Sequence, residues 1–171
     1  MITPLLIFSL VGVVLFYFQN LALFPQVRLR LIALLLFYVG LRPSFSLAFS
    51  LALVLGLLQD SFTTTPFGLH LEAALLMVGI ARFCRRRLLL QKTGPQIAAS
   101  LGALTLQEMG FLLTLMLLGV QPFPIADLLA SRGPEILATA ALAPLIYALL
   151  QGLEKHLSHY GMRSLRFQER D

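Results

Sequence analysis

Tryptophan is absent from this chain of 171 residues, cysteine occurs once, and only 12% of the residues are charged. The lone Cys84 excludes an internal disulfide and any metal site built from several thiolates. With 58% hydrophobic residues and a mean hydropathy of +0.85, the chain has too little polar surface to cover a water-soluble globule. No charged side chain stands between Met1 and Val27, so the opening segment lacks the basic stretch of a cleavable signal peptide and reads as a retained first helix. Also missing are Gly-x-Ser-x-Gly, His-Glu-x-x-His, a Gly-rich phosphate loop and Cys-x-x-Cys. Without a nucleophile, a metal site or an oxyanion stabiliser, the sequence reads as non-enzymatic and calls for no cofactor.

What is present is a series of apolar stretches centred near Phe8, Leu35, Leu51, Leu75, Leu106 and Ala143. They predict an all-α integral membrane protein of one domain, residues 1–171, with six transmembrane helices. Threading them alternately puts Arg42, Arg82, Arg85, Arg86, Arg87, Lys92, Lys155, Arg163, Arg166 and Arg170 on the face that holds both termini. The other face holds only Arg28, Arg30 and Arg132. Basic loops are translocated poorly, so this bias predicts an inner-membrane protein with both termini in the cytoplasm. The pI near 10 does not point to nucleic acid, because the basic residues sit beside apolar segments, where anionic lipid headgroups are the nearer counter-charge.

Local signals set the expected boundaries. The first helix runs from about Pro4 to Phe24, with Phe16, Tyr17 and Phe18 at the outer interface and Pro25 beyond its end. The second, about Val27 to Leu41, is short enough that Arg28 and Arg30 must snorkel to the outer headgroups, and Pro43 stops it beside Arg42. The third spans about Ser44 to Gln59. For the fourth, Thr65 is placed to cap and Pro66 to take the first helical position, with the basic run Arg82, Arg85, Arg86 and Arg87, followed by Lys92, as the cytoplasmic anchor. The fifth covers about Pro95 to Gly119. An outer connection, Val120 to Gly133, follows, with a short amphipathic piece at Ile125 to Leu129. The sixth begins near Pro134, bends at Pro144 and ends near Leu153.

Four groups of residues are candidates for function. Ser44, Ala48, Ala52, Gly56 and Asp60 recur at steps of four, laying small side chains along a ridge. Such a ridge lets helices approach closely, either within the chain or against a partner helix. Asp60 ends its helix against the negative end of the dipole and needs compensating donors. Loop amides and hydroxyls, or the free amides at the start of the fourth helix, can supply them, making a clamp between the two helices. Glu72 and Glu108 lie inside apolar stretches, where a carboxylate is a functional suspect, and neighbouring helices would let both face one cavity. The cheaper reading makes Glu108 a protonated acid hydrogen-bonded beside Gln107. His70 lies within reach of Asp60, either as a relay partner or as an interfacial side chain.

The run Gly56-Leu57-Leu58-Gln59-Asp60, a Ser-Phe-Thr-Thr-Thr spacer, then Pro66-Phe67-Gly68-Leu69-His70 and the apolar Leu71 to Ala81 resembles the signature of the rod shape-determining MreD family. The spaced pattern is carried by Gly56, Asp60, Pro66 and Gly68; the Leu31 to Arg42 segment and the Arg82 to Arg87 anchor also match that family's layout. The resemblance implies a non-enzymatic subunit of the bacterial cell-elongation machinery in the inner membrane. It implies MreC as partner, with MreB, RodZ, RodA and a class B penicillin-binding protein in the wider assembly. It further implies a fold like the substrate-binding subunits of energy-coupling-factor transporters. The small-residue ridge Ser44, Ala48, Ala52 and Gly56 would then be the groove for the partner helix. A competing reading is a solute-binding transporter subunit, whose pocket would be drawn from His70, Glu72, Gln107 and Glu108.

Overall fold

The computed structural model describes residues 2–20, 29–63, 66–85, 93–119 and 125–159. Among them it is all-helical, with six helices: α1 (Ile2–Asn20), α2 (Leu31–Gly40), α3 (Phe45–Ser61), α4 (Leu69–Arg85), α5 (Thr93–Leu117) and α6 (Ile125–His159). Two segments, Gly94–Leu117 and Arg132–Lys155, are long and apolar enough to cross a membrane. Thr3–Gln19, Leu31–Gly40 and Phe45–Ser61 are shorter apolar helices. The expectation of six helices holds, while six spans are not established by length.

The sequence of α2, Leu-Ile-Ala-Leu-Leu-Leu-Phe-Tyr-Val-Gly, is apolar on every side, and every one of its residues is buried. A helix without a polar face has no place at a water boundary and is stable only when enclosed. All the other helices contact it, so α2 is the axis around which the bundle is assembled. At about 1.5 Å per residue it is about 15 Å long, half the thickness of a bilayer's hydrocarbon layer.

The outward faces are apolar as well. Leu6, Leu10 and Val14 on α1, Leu106, Met109 and Leu113 on α5, and Leu137, Leu145 and Leu149 on α6 are exposed. Such stripes are larger than the isolated apolar residues that soluble surfaces carry, and they suit contact with lipid or another protein.

The small-residue ridge of α3 is consumed inside the chain. Ala48 and Ala52 have no exposed surface and Gly56 is buried, while Ser44 lies outside the helix and caps it, its hydroxyl accepting from the Leu47 amide at 3.4 Å. A Cβ placed on Gly56 would stand 2.7 Å from Leu71 Cα and 3.3 Å from Ala74 Cβ, so only glycine lets α3 and α4 meet here. Of the two uses of the ridge, packing within the chain is the one observed, and it leaves no open groove at these positions for a partner helix. Gly56→Ala is therefore expected to destabilise the protein by about 1–3 kcal/mol by forcing two backbones apart. Thermal unfolding in detergent measures this, and an unchanged midpoint would rule out the close approach.

Several boundaries differ from expectation for identifiable reasons. α4 begins at Leu69 rather than at Pro66, because its capping group is the Asp60 carboxylate; Thr65 lies outside the described residues. α6 begins at Ile125, so the amphipathic piece Ile125 to Leu129 is part of a continuous helix of 35 residues and not a separate surface segment. Pro134 and Pro144 both lie inside it, where each removes one backbone donor without ending the helix.

Candidate functional site

Among the described residues, three constellations centred on buried or half-buried acidic side chains are embedded in this apolar bundle. The first is the corner between α3 and α4. Asp60, 5% exposed, accepts hydrogen bonds from the backbone amides of Gly68 at 3.0 Å, His70 at 2.9 Å and Leu71 at 3.2 Å. The free amides that open a helix are strong donors at the positive end of its dipole, so a carboxylate there is stabilised. The same carboxylate is poorly placed on its own helix, and the geometry resolves the conflict by turning it across to the next one. Gly68 has φ +99°, a conformation that favours glycine and aims its N–H at Asp60. Pro66 accepts from the Leu69 amide at 3.4 Å and forms the turn before the helix. Gly56, Asp60, Pro66 and Gly68 thus serve one structural unit. The donors are the amides at the start of α4; the imidazole of His70 does not bond Asp60 but lies against the Phe111 ring, with centroids 5.8 Å apart.

The second constellation surrounds Glu108, which is 6% exposed near the middle of α5. One carboxylate oxygen accepts from Nη1 of Arg30 and the other from Nη1 of Arg132. Arg30 is further fixed through its backbone N–H, which donates to the Thr139 hydroxyl at 3.2 Å; that hydroxyl in turn donates to the Glu135 carbonyl at 2.6 Å. Arg132 also lies over the Phe111 ring at 5.7 Å. Two guanidiniums, and not the Gln107 amide, are thus the hydrogen-bond partners of this carboxyl group. The arrangement also corrects the expectation that Arg30 snorkels outward, since its guanidinium turns inward; Arg28 lies outside the described residues.

The remaining pocket candidates do not join Glu108. Gln107 donates to the Ala73 carbonyl at 3.3 Å. Glu72 is exposed and accepts from the Thr114 hydroxyl at 2.7 Å, so the two glutamates do not face a common cavity.

The third constellation closes the opposite end of α2. Arg42 donates to the Tyr38 hydroxyl and to the Glu154 carboxylate, and Tyr38 donates to the same carboxylate at 3.0 Å. From α4, Arg82 Nη1 reaches the carbonyls of Arg42 at 3.2 Å and Pro43 at 3.0 Å, and Arg85 Nη1 reaches the Arg42 carbonyl at 3.4 Å. Arg82 and Arg85 of the basic run therefore hold the α2–α3 connection; Arg86, Arg87 and Lys92 lie outside the described residues. The short central helix is gripped at both ends by arginines, one set through Glu108 and one through Glu154.

Sequence reasoning missed Arg132 and Glu154. The available signal was the rule that a charge at membrane depth needs a partner, together with the scarcity of basic residues on the outer side. Spacing alone did not say which arginine would reach Glu108, since Arg30 and Arg132 are separated from it by 78 and 24 residues.

No family model, no curated protein and no solved structure matches this chain.

Proposed function

We propose that the chain is a non-enzymatic, multi-pass subunit of the bacterial inner membrane, with both termini cytoplasmic. In this reading it acts as the MreD-like member of the cell-elongation assembly. It binds the membrane helix and periplasmic side of MreC and helps couple cytoplasmic MreB filaments to peptidoglycan synthesis outside. RodZ, RodA and a class B penicillin-binding protein belong to the wider complex. The observation that carries the reading is the α3–α4 corner: the spaced residues on which the resemblance rests, Gly56, Asp60, Pro66 and Gly68, act together in one capped turn. The close approach at Gly56, the positive φ at Gly68 and the three amides on Asp60 call for those residue types, while Pro66 contributes a backbone carbonyl, and together they give the resemblance a physical basis beyond shared hydrophobicity. The apolar outward stripes of α1, α5 and α6 and the two long apolar segments support a lipid environment.

Because the α3 ridge is packed inside, the partner helix must meet a face that is still open. A Cβ at Gly102 on α5 or Gly79 on α4 meets nothing within 4 Å, so Gly102→Leu and Gly79→Leu add bulk to the surface without disturbing the core. The test is co-purification of the tagged chain from mild detergent with mass identification of its companions. Recovery of a protein with one membrane helix and a periplasmic domain is the expected result, and the two leucine variants then map the face it uses. A chain that returns alone, or with a nucleotide-driven transport module, overturns the adaptor reading. Labelling of Cys84 from the cytoplasmic side in cells is expected alongside; labelling from outside would reverse the orientation.

A further inference from the structure

Arg82 and Arg85 carry a feature that bundle assembly does not use. Both guanidiniums donate to the same carbonyl, that of Arg42, at 3.2 and 3.4 Å, so two like charges are held side by side at the end of α4. Among the described residues neither is paired with a carboxylate: the ion pairs are Arg30 and Arg132 with Glu108, and Arg42 with Glu154. At this end of α2 one Glu154 oxygen is taken by Arg42 and Tyr38, and the other is buried and makes no hydrogen bond to either arginine. Two neighbouring cations without an anion repel one another and favour binding of a group that presents negative oxygens to both. Each guanidinium has five N–H donors, and the carbonyls engage one nitrogen of each.

Beside this pair lies an apolar platform. The Arg82 guanidinium stands 5.3 Å over the Phe45 ring, and Phe49 lies 5.7 Å from Phe45 one turn along α3. These rings are 53% and 40% exposed, on the outside of the bundle. The neighbouring surface therefore changes within one side chain from paired cations to bare aromatic rings. An inorganic anion would use the cations and leave the rings uncovered. A molecule with an anionic head joined to acyl chains uses both.

We propose that the end of α4 and the start of α3 form a binding site for the phosphodiester of an anionic phospholipid, with Arg82 and Arg85 holding the phosphate and Phe45 and Phe49 supporting the upper acyl chain. The site rests on the reading above only in requiring that this end of the bundle meets a lipid leaflet.

The experiment uses the full chain purified in detergent, with three probes: dioleoyl phosphatidylglycerol, dioleoyl phosphatidylcholine and inorganic phosphate. Native mass spectrometry counts retained lipid, and thermal unfolding reads stabilisation. Phosphatidylglycerol is expected to be retained and to raise the unfolding midpoint, with little response to the other two. Arg85→Gln is the decisive variant, because Arg85 is exposed and its single long bond goes to a carbonyl that Arg82 also holds, so Arg82 keeps the α2–α3 connection in place without it. It should weaken phosphatidylglycerol binding roughly fivefold, as removal of one cation near an anionic lipid does. Arg85→Lys should keep most of the affinity, and Phe45→Ala should lower lipid retention with the cations intact. Equal retention of phosphatidylcholine, an Arg85→Gln chain that binds as the parent does, or equal stabilisation by inorganic phosphate would each overturn the proposal. Binding is read on the chain alone, so its failure leaves partner recovery untouched, and failed partner recovery leaves this site standing.

Discussion

Replacing Glu108 by leucine is expected to destabilise the protein by about 3–5 kcal/mol, the cost of leaving buried or half-buried charges without their counter-ion. Arg30 and Arg132 both direct a guanidinium at this carboxylate, and no other described ion pair involves either. The loss should appear as a sharp drop in unfolding temperature in detergent and in the yield of folded protein. Replacement of all members together, Arg30→Met, Glu108→Leu and Arg132→Met, should restore most of the stability, because matched apolar side chains remove the charges along with their partner. That pair of results separates an electrostatic requirement from simple crowding. If Glu108→Leu alone unfolds at the parent's temperature, the two arginines do not depend on it and the bridging geometry is wrong.

Asp60→Ala is expected to cost about 3 kcal/mol or more. A single helix-capping side chain contributes about 0.5–2 kcal/mol, and here one carboxylate serves the amides of Gly68, His70 and Leu71 while 5% exposed. Asp60→Asn keeps one acceptor oxygen and should fall between parent and alanine. Amide hydrogen exchange at positions 68, 70 and 71 is the direct measurement: all should exchange faster in Asp60→Ala, while amides in the middle of α5 keep their rates. Unchanged exchange at the start of α4 would show that the turn holds itself without the carboxylate.

How much of this could be read beforehand depended on whether the signal was local. The helices were legible because their apolar runs are long and their breaks carry proline, glycine or arginine. The Asp60 clamp was legible because a carboxylate at a helix C-terminus conflicts with the dipole, and the nearest unsatisfied donors are only a loop away. Glu108 was recognised as a suspect, yet its partners were not foreseen. The sequence places Gln107 beside it, and only the packing of α2 and α6 against α5 brings Arg30 and Arg132 within reach. The ridge of α3 shows the same limit from another side. Small residues at steps of four favour close packing, but nothing in their spacing says whether the neighbour belongs to the same chain. Gly56 settles that through Leu71, a residue only one turn into α4. The start of α4 was misplaced because Pro66 satisfies the local rule for a first helical residue, while the cap came from another helix.

The enclosure of α2 bears on how the protein is made. A segment shorter than the oily layer, with arginines at both ends, cannot be stitched into a bilayer as an autonomous unit. The partners of those arginines, Glu108 and Glu154, come later in the chain, on α5 and α6. In a membrane, the early part of the nascent chain must therefore wait in a provisional arrangement, sheltered by an insertase or held at the interface. It can settle only when the late helices arrive, so chains truncated ahead of α6 should be degraded by quality control instead of persisting as partial bundles.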